Sequence, residues 1–525
     1  EADLVSYVPS RDRVKFVCEL AKCWVTLRIT AIKERRIAIV VANYPNQDGR
    51  IGNGVGLDTP ESAVKILKAM KKEGYSICNI PKDGEELLKR LKVGPTNNYK
   101  DLKNRIINET LSVEKYRVFF DNLPEQIKIE VKERWGAFES DPFYTHQTKG
   151  NGFFAISGFR LGNIIICLQP ARGYNINPKE TYHSPDLVPP HNYLAFYAWL
   201  RLNAKIHAII NLGKHGNLEW LPGKSLALSA ECYPEVALGP TPNIYPFIVN
   251  DPGEGAQAKR RASAVIIDHL TPALTRAESY GPLRDLEQLV DEYFEASGVD
   301  PRRLEVLKKN ILMLCETTGL DKDCGFIARE KEDTSLMKLD NYLCELKEMQ
   351  IRDGLHIFGE SPKNSLLDSL LVALTRVPRN DGKGKDASFI RMLARDLRLN
   401  FDPLDCVMGE TWEGSRPKVL NDLLTDQWRT VGDTVERLEV LALNFVSGKM
   451  KITKNFLRAI VVFKYLQFEL RPLLETCGDE EIRGIIQALN GNFVKPGPSG
   501  APTRGRIDVL PSGRNFYSVD TRIVP

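Results

Sequence analysis

The chain has 525 residues, 42% apolar, 27% charged and 8% aromatic, with a net charge of +4. That length allows two or more domains with substantial cores, and so small a charge gives no case for nucleic acid or a membrane surface as a partner. No apolar run approaches the roughly eighteen residues of a transmembrane helix. The ten cysteines form no Cys-x-x-Cys, which argues against zinc ribbons and thioredoxin-like chemistry and predicts free thiols in a reducing cytoplasm. The sequence opens Glu1-Ala-Asp-Leu with neither an initiator Met nor a signal peptide, as expected of a processed chain or a fragment.

In chain order, residues 36–42 read as a buried strand, followed by a polar glycine-rich loop over 43–58. Thr59-Pro60 caps a helix to about Lys72, with Gly74 past its end. Residues 163–168 form a second strand, 191–202 an amphipathic helix and 206–212 a third strand. This alternation predicts parallel α/β units. After about Gly255 the apolar spacing becomes helical, over 256–270, 283–296, 302–317, 335–350 and 365–376. The expected fold is α/β, a parallel α/β N-terminal half packed with a predominantly helical C-terminal half. The expected parts are 1–254, a mainly helical 255–490, and a Gly/Pro-rich 491–525 leading to a further C-terminal region.

The most informative segment follows the third strand. Its apolar run stops at Gly213, and His215 and Glu219 lie four residues apart. On a helical turn the two would share one face. A strand ending in a glycine turn is where open α/β sheets hold ligands, and an imidazole with a carboxylate offers a metal ligand and a proton acceptor. The plainer alternative is a surface His and a helix-start Glu. Gly213, Gly216 and Gly223, with Trp220, favour a site with close backbone approach and an apolar wall. The loop Gly49–Gly56 follows a strand and precedes a helix, but Leu57 breaks the Gly-x-Gly-x-x-Gly pattern, and Leu218 stands where a Walker loop ending at Gly223-Lys224-Ser225 needs glycine. A structured loop without nucleotide hydrolysis is therefore expected. Asn250-Asp-Pro-Gly-Glu254 leads into a helix carrying Lys259-Arg260-Arg261, of which at least one should face inward or toward a ligand. If that helix N-terminus faces the same cleft, its dipole and these cations should grip carboxylates. Arg504, Arg506 and Arg514 suit the same role, or are simply loop residues.

Lys214-His-Gly-Asn-Leu-Glu-Trp-Leu-Pro-Gly-Lys224 resembles the most distinctive motif of the cobaltochelatase large-subunit family, itself similar to the magnesium chelatase large subunit. Further segments match in the same order: Asn43-Tyr-Pro-Asn46 with Gly52–Pro60, Pro242–Pro246 with Asn250–Glu254, Ala258–Arg261, and Pro498–Gly505 with Leu510–Asn515. The resemblance spans nearly the whole chain, which reads as the central part of the family's longer subunit, without its N-terminal region and C-terminal third. Trp220-Leu221 and Asn250–Glu254 resemble the cobalt branch. Lys214 and Asn211-Leu212 depart from the family, which more often has a small polar residue and an aromatic there.

The resemblance implies a tetrapyrrole-binding, metal-inserting subunit of an ATP-dependent chelatase. Cobalt(II) would be the substrate metal, and a corrin precursor of cobalamin biosynthesis, hydrogenobyrinic acid a,c-diamide, the macrocycle. ATP and magnesium would be used by partner subunits, an AAA+ ATPase and an integrin-domain-containing AAA+ protein, and not bound by this chain. Insertion requires a held macrocycle, loss of its inner N–H protons and a metal shedding water. Glu219 suits proton acceptance and His215 transient metal ligation, so both are expected as catalytic residues and metal ligands. Asn53, Gly54, Trp220, Asn250, Glu254, Lys259, Arg260 and Arg514 are the expected substrate contacts. The alternatives are a magnesium chelatase large subunit acting on protoporphyrin, and a non-catalytic tetrapyrrole carrier or scaffold.

Overall fold

The computed structural model describes residues 8–43, 51, 52, 54, 56–146, 151–173, 186–213, 216–272, 289, 301–318, 355–425 and 427–517. The chain forms two units, Glu1–Pro272 with His356–Pro525, and Ala273–Leu355. The second unit contains the helix Pro301–Thr318, as the apolar spacing predicts. The helices expected over 283–296 and 335–350 lie, residue 289 aside, outside the described residues.

The first unit is built on a six-stranded sheet. Its strands are β1 Ile37–Val41, β5 Gly158–Leu161, β6 Ile164–Leu168, β7 Ala208–Leu212, β8 Asn243–Ile248 and β9 Val265–His269. A smaller antiparallel sheet joins β2 Glu109–Ser112, β4 Gly152–Ile156 and β3 Tyr144–His146, in that order. The large sheet runs β5-β6-β1-β7-β8-β9, parallel throughout except for the edge hairpin β5–β6. β1, β6 and β7 are unbroken apolar or nearly apolar runs because both faces of the sheet are covered. On one face Ile37, Ile39 and Val41 meet Val64, Leu67 and Met70 of the helix Thr59–Lys72, together with Ile485 and Leu489 of the helix Arg471–Leu489. On the other, Ala38 and Val40 meet Tyr193, Phe196 and Trp199 of the segment that begins as the helix His191–Ala198. The C-terminal part of the chain thus supplies a covering layer of the sheet begun near the N-terminus.

Two local expectations are corrected. The helix begun before residue 256 does not reach 270: it spans Pro252–Ala262 and ends at Ser263, which adopts a left-handed conformation. The β-branched run after it, Val265-Ile266-Ile267, then pairs with β8 as the edge strand β9. The parallel sheet therefore continues past residue 255. The helix Thr59–Lys72 is capped by Asp58, whose side chain accepts the Glu61 N–H at 3.0 Å; Thr59 and Pro60 open the first turn. Among the described residues no helix is long and apolar enough to cross a membrane. Eight described cysteines are free thiols, and Cys167, Cys232, Cys315 and Cys477 are buried.

Candidate functional site

Parallel strands present their carboxyl ends along one edge, and there the loops after β1, β6, β7 and β8 converge. Gly213 follows β7 with φ of +101°, and a Cβ on it would lie 2.9 Å from the Ala42 Cβ. A Cβ on Gly54, in the glycine-rich loop after β1, would lie 3.6 Å from the Gly213 Cα. The two glycine segments legible in the sequence are thus in close backbone contact. Asn217 ties the same turn to the loop after β6, donating to the Pro170 carbonyl at 2.9 Å and accepting from the Tyr193 hydroxyl at 2.8 Å.

Glu219 lies on a single 3-10 turn, Leu218–Trp220, and is 2% exposed. The Tyr245 hydroxyl, from β8, donates to its Oε1 at 3.3 Å and accepts the Gly216 N–H at 2.7 Å. A Cβ on Gly216 would come within 2.7 Å of that hydroxyl, which is why this position has no side chain. Burial, and secondly the charge of Glu219, push the Tyr245 phenol well above its usual 10, so it remains neutral and a donor. Burial also raises Tyr193 well above its usual value, and both Arg172 and Glu219 bear on it electrostatically. From behind the turn, Arg261 donates to the Glu219 carbonyl at 2.8 Å and to the Lys224 carbonyl at 3.0 Å. The arrangement is a buried carboxylate with a neutral phenol donor at one oxygen, at the open end of a parallel sheet. It is suited to receive a proton.

The other expected site residues are distributed unevenly. His215 and Asn53 lie outside the described residues. Gly54 and Asn250 are at the carboxyl edge, Asn250 exposed in the turn after β8. Trp220 is 38% exposed. Glu254 is in the first turn of the helix Pro252–Ala262, with Asp251 as its N-cap. The basic triplet is in the last turn, five to seven residues or about 8–11 Å of helix rise beyond Glu254, where cations complement the dipole. The capping segment opens the helix and the cations lie toward its other end, in sequence order. Lys259 is half-buried and hydrogen-bonded to Asn515, Arg260 is exposed beside Gln257, and Arg261 is buried. The Arg514 guanidinium donates to the carbonyls of Asp508 at 3.3 Å and Leu510 at 2.5 Å. Among the described residues no group of three or more His, Cys, Asp and Glu is gathered for a metal ion.

A second buried cluster supports this edge from the side of β9. Glu481, fully buried, accepts from Leu270 N at 3.1 Å, Gly359 N at 2.7 Å and Ser512 Oγ at 2.6 Å, and lies 2.8 Å from His356 Nε2. His356 clasps the glycine-rich loop with its backbone: its N–H donates to the Gly56 carbonyl at 3.1 Å and its carbonyl accepts from Asp58 N at 2.9 Å. Burial opposes the charge of Glu481, yet His356 and the surrounding donors hold it below the usual carboxylate range. Nearby Asp268 accepts two backbone N–H groups on Oδ1 while Oδ2 has no partner among the described residues, and burial pushes its carboxyl up to about 8.

The profile of CobN/Magnesium Chelatase matches residues 1–525. The aerobic cobaltochelatase subunit CobN of a Sinorhizobium species is 56% identical over all of this chain. The chain belongs to the CobN/Magnesium Chelatase family. Within that family, a magnesium-chelatase subunit of Chlorobaculum parvum is 29% identical over 98% of the chain, covering 40% of that relative. The solved catalytic subunit of cobaltochelatase from Mycobacterium tuberculosis is similar with a TM-score of 0.69 and 36% identity, over 98% of this chain and 42% of that one. The chain likewise spans 42% of the Sinorhizobium relative.

Two residues that touch Glu219 escape a reading of the sequence alone. Tyr245 and Arg261 lie inside family-matching segments, but nothing local marks a strand tyrosine or one arginine of three as touching Glu219. Tyr193, from the segment His191-Asn192-Tyr193 that opens the helix before β7, reaches the same turn through Asn217. A search for polar residues within otherwise apolar strands and helices would have flagged Tyr193 and Tyr245.

Proposed function

We propose that this chain is the tetrapyrrole-binding, metal-inserting part of the large subunit of an ATP-dependent cobaltochelatase, with cobalt(II) and a corrin precursor, hydrogenobyrinic acid a,c-diamide, as substrates. The observation that carries the reading is the buried Glu219, held by Tyr245 at the carboxyl edge of the parallel sheet, inside a chain 56% identical to a CobN subunit. The weaker likeness to the magnesium-chelatase relative favours cobalt over magnesium. In this mechanism the macrocycle lies against the loops after β1, β7 and β8, bordered by Asn53, Gly54, Trp220, Asn250 and Glu254. Glu219 takes an inner N–H proton as the metal enters, and Tyr245 keeps the carboxylate turned toward the ring. His215 ligates the incoming metal. AAA+ partner subunits supply the ATP-driven step.

The test is Glu219→Ala in the assembled enzyme. Insertion is expected to be abolished while macrocycle affinity stays within a few-fold, because a proton acceptor acts mainly in the transition state. Full activity in that variant would remove Glu219 from the mechanism and favour a carrier.

A further inference from the structure

Arg261 is 7% exposed, yet its guanidinium meets two neutral carbonyls, Glu219 O and Lys224 O, and its remaining Nη2 has no partner among the described residues. A buried cation with an unmet donor and, among the described residues, no ion-paired carboxylate is an expense to the fold, not a gain. Packing alone therefore gives little reason for an arginine here. What it does hold is specific. The short 3-10 turn is closed by Trp220 N–H to the Asn217 carbonyl at 3.2 Å and Leu221 N–H to the Leu218 carbonyl at 3.3 Å, and the carbonyl of Glu219 itself is held by Arg261. The fork of Arg261 spans that turn from Glu219 to Lys224.

We propose that Arg261 is a positioning residue for Glu219. Its two bonds set the backbone of the turn, and with it the direction of the carboxylate relative to Tyr245. The proposal rests on the reading of Glu219 as the proton acceptor. It also assigns a role to the third member of the basic triplet, distinct from gripping substrate.

The experiment uses the assembled chelatase with Arg261→Met, Arg261→Lys and the slowed background Glu219→Asp. Arg261→Met should lower kcat about 10- to 100-fold, as for one or two lost charge-assisted hydrogen bonds, with macrocycle affinity and metal KM unchanged. Arg261→Lys, which can still reach one carbonyl, should recover part of the rate. Added to Glu219→Asp, Arg261→Met should cost little more, because both changes act on one carboxylate. A full rate in Arg261→Met overturns the proposal, as does a penalty that multiplies undiminished in the Glu219→Asp background or a loss confined to macrocycle affinity. Should the Met variant fail to fold, a folded Lys variant with the full rate overturns it equally. If Glu219→Ala is itself fully active, the proton-acceptor reading fails; if Glu219→Ala is dead and Arg261 is neutral, only the brace fails.

Discussion

Replacing Tyr245 by Phe removes one oxygen and leaves the ring packed against Phe247, 5.1 Å away between centroids. The lost oxygen accepted the Gly216 N–H at 2.7 Å and donated to Glu219 at 3.3 Å. Leaving a buried N–H without an acceptor costs about 1–3 kcal/mol, and a long hydrogen bond to a carboxylate contributes about 1 kcal/mol. The first loss loosens the turn; the second frees the carboxylate to rotate. If about 1–2 kcal/mol of this sum is felt in the transition state, kcat falls roughly 5- to 30-fold. Macrocycle KM should hardly move, since no macrocycle contact is removed. The assay is single-turnover metal uptake followed by the absorbance of the macrocycle. A Tyr245→Phe enzyme with the parent kcat refutes the reasoning, as does one whose entire loss is in macrocycle affinity. Gly216→Ala, which would press a methyl onto the same hydroxyl, should act in the same direction.

Asp268 is held protonated by burial up to about pH 8, whereas an unfolded chain ionises it near 3.8. The folded state binds the extra proton in that window, so stability falls as pH rises from 3.8 to about 8; urea midpoints against pH should be flatter in Asp268→Asn. His191 has the opposite sign. Burial depresses it from 6.5 to about 4, so the folded state resists protonation and stability is lost as pH falls through that interval. The same titration on His191→Gln should lack this limb, and an unchanged limb would clear His191. Replacing Lys259 and Arg260 by Gln should change macrocycle affinity less than about two-fold, measured by fluorescence quenching, because both cations lie at the far end of their helix. A loss of about ten-fold would return them to the binding surface.

Where residues interact with their near neighbours in sequence, the sequence announces the structure. β1, β6 and β7 are legible because apolar or nearly apolar runs bounded by glycine or polar loops have few other solutions. The helix Thr59–Lys72 carries its own start and stop signals. β9 is hidden because helical spacing counted through Ser263 passes over a left-handed residue that ends the helix. The site divides in the same way. Glu219 is marked by the glycines on either side of it, whereas Tyr245 is 26 residues away and joins it only through strand order. Glu481 meets His356 across 125 residues, a pairing no local pattern encodes.

Glu481 also delays the site relative to the strands that carry it. Leu270, at the end of β9, waits 211 residues for the carboxylate that accepts its N–H. At about 5–20 residues per second, synthesis takes roughly 10–40 s to cover that distance. Until then the clasp on the glycine-rich loop lacks its anchor, and one face of the sheet lacks the helix Arg471–Leu489. In this interval the face carrying Ile37, Ile39 and Val41 is covered by the helix Thr59–Lys72 but lacks Ile485 and Leu489, and the edge strand β9 is unanchored, the kind of surface that chaperones bind. Assembly of the carboxyl edge is thereby tied to synthesis of the segment around Glu481, long after the strands of the sheet themselves.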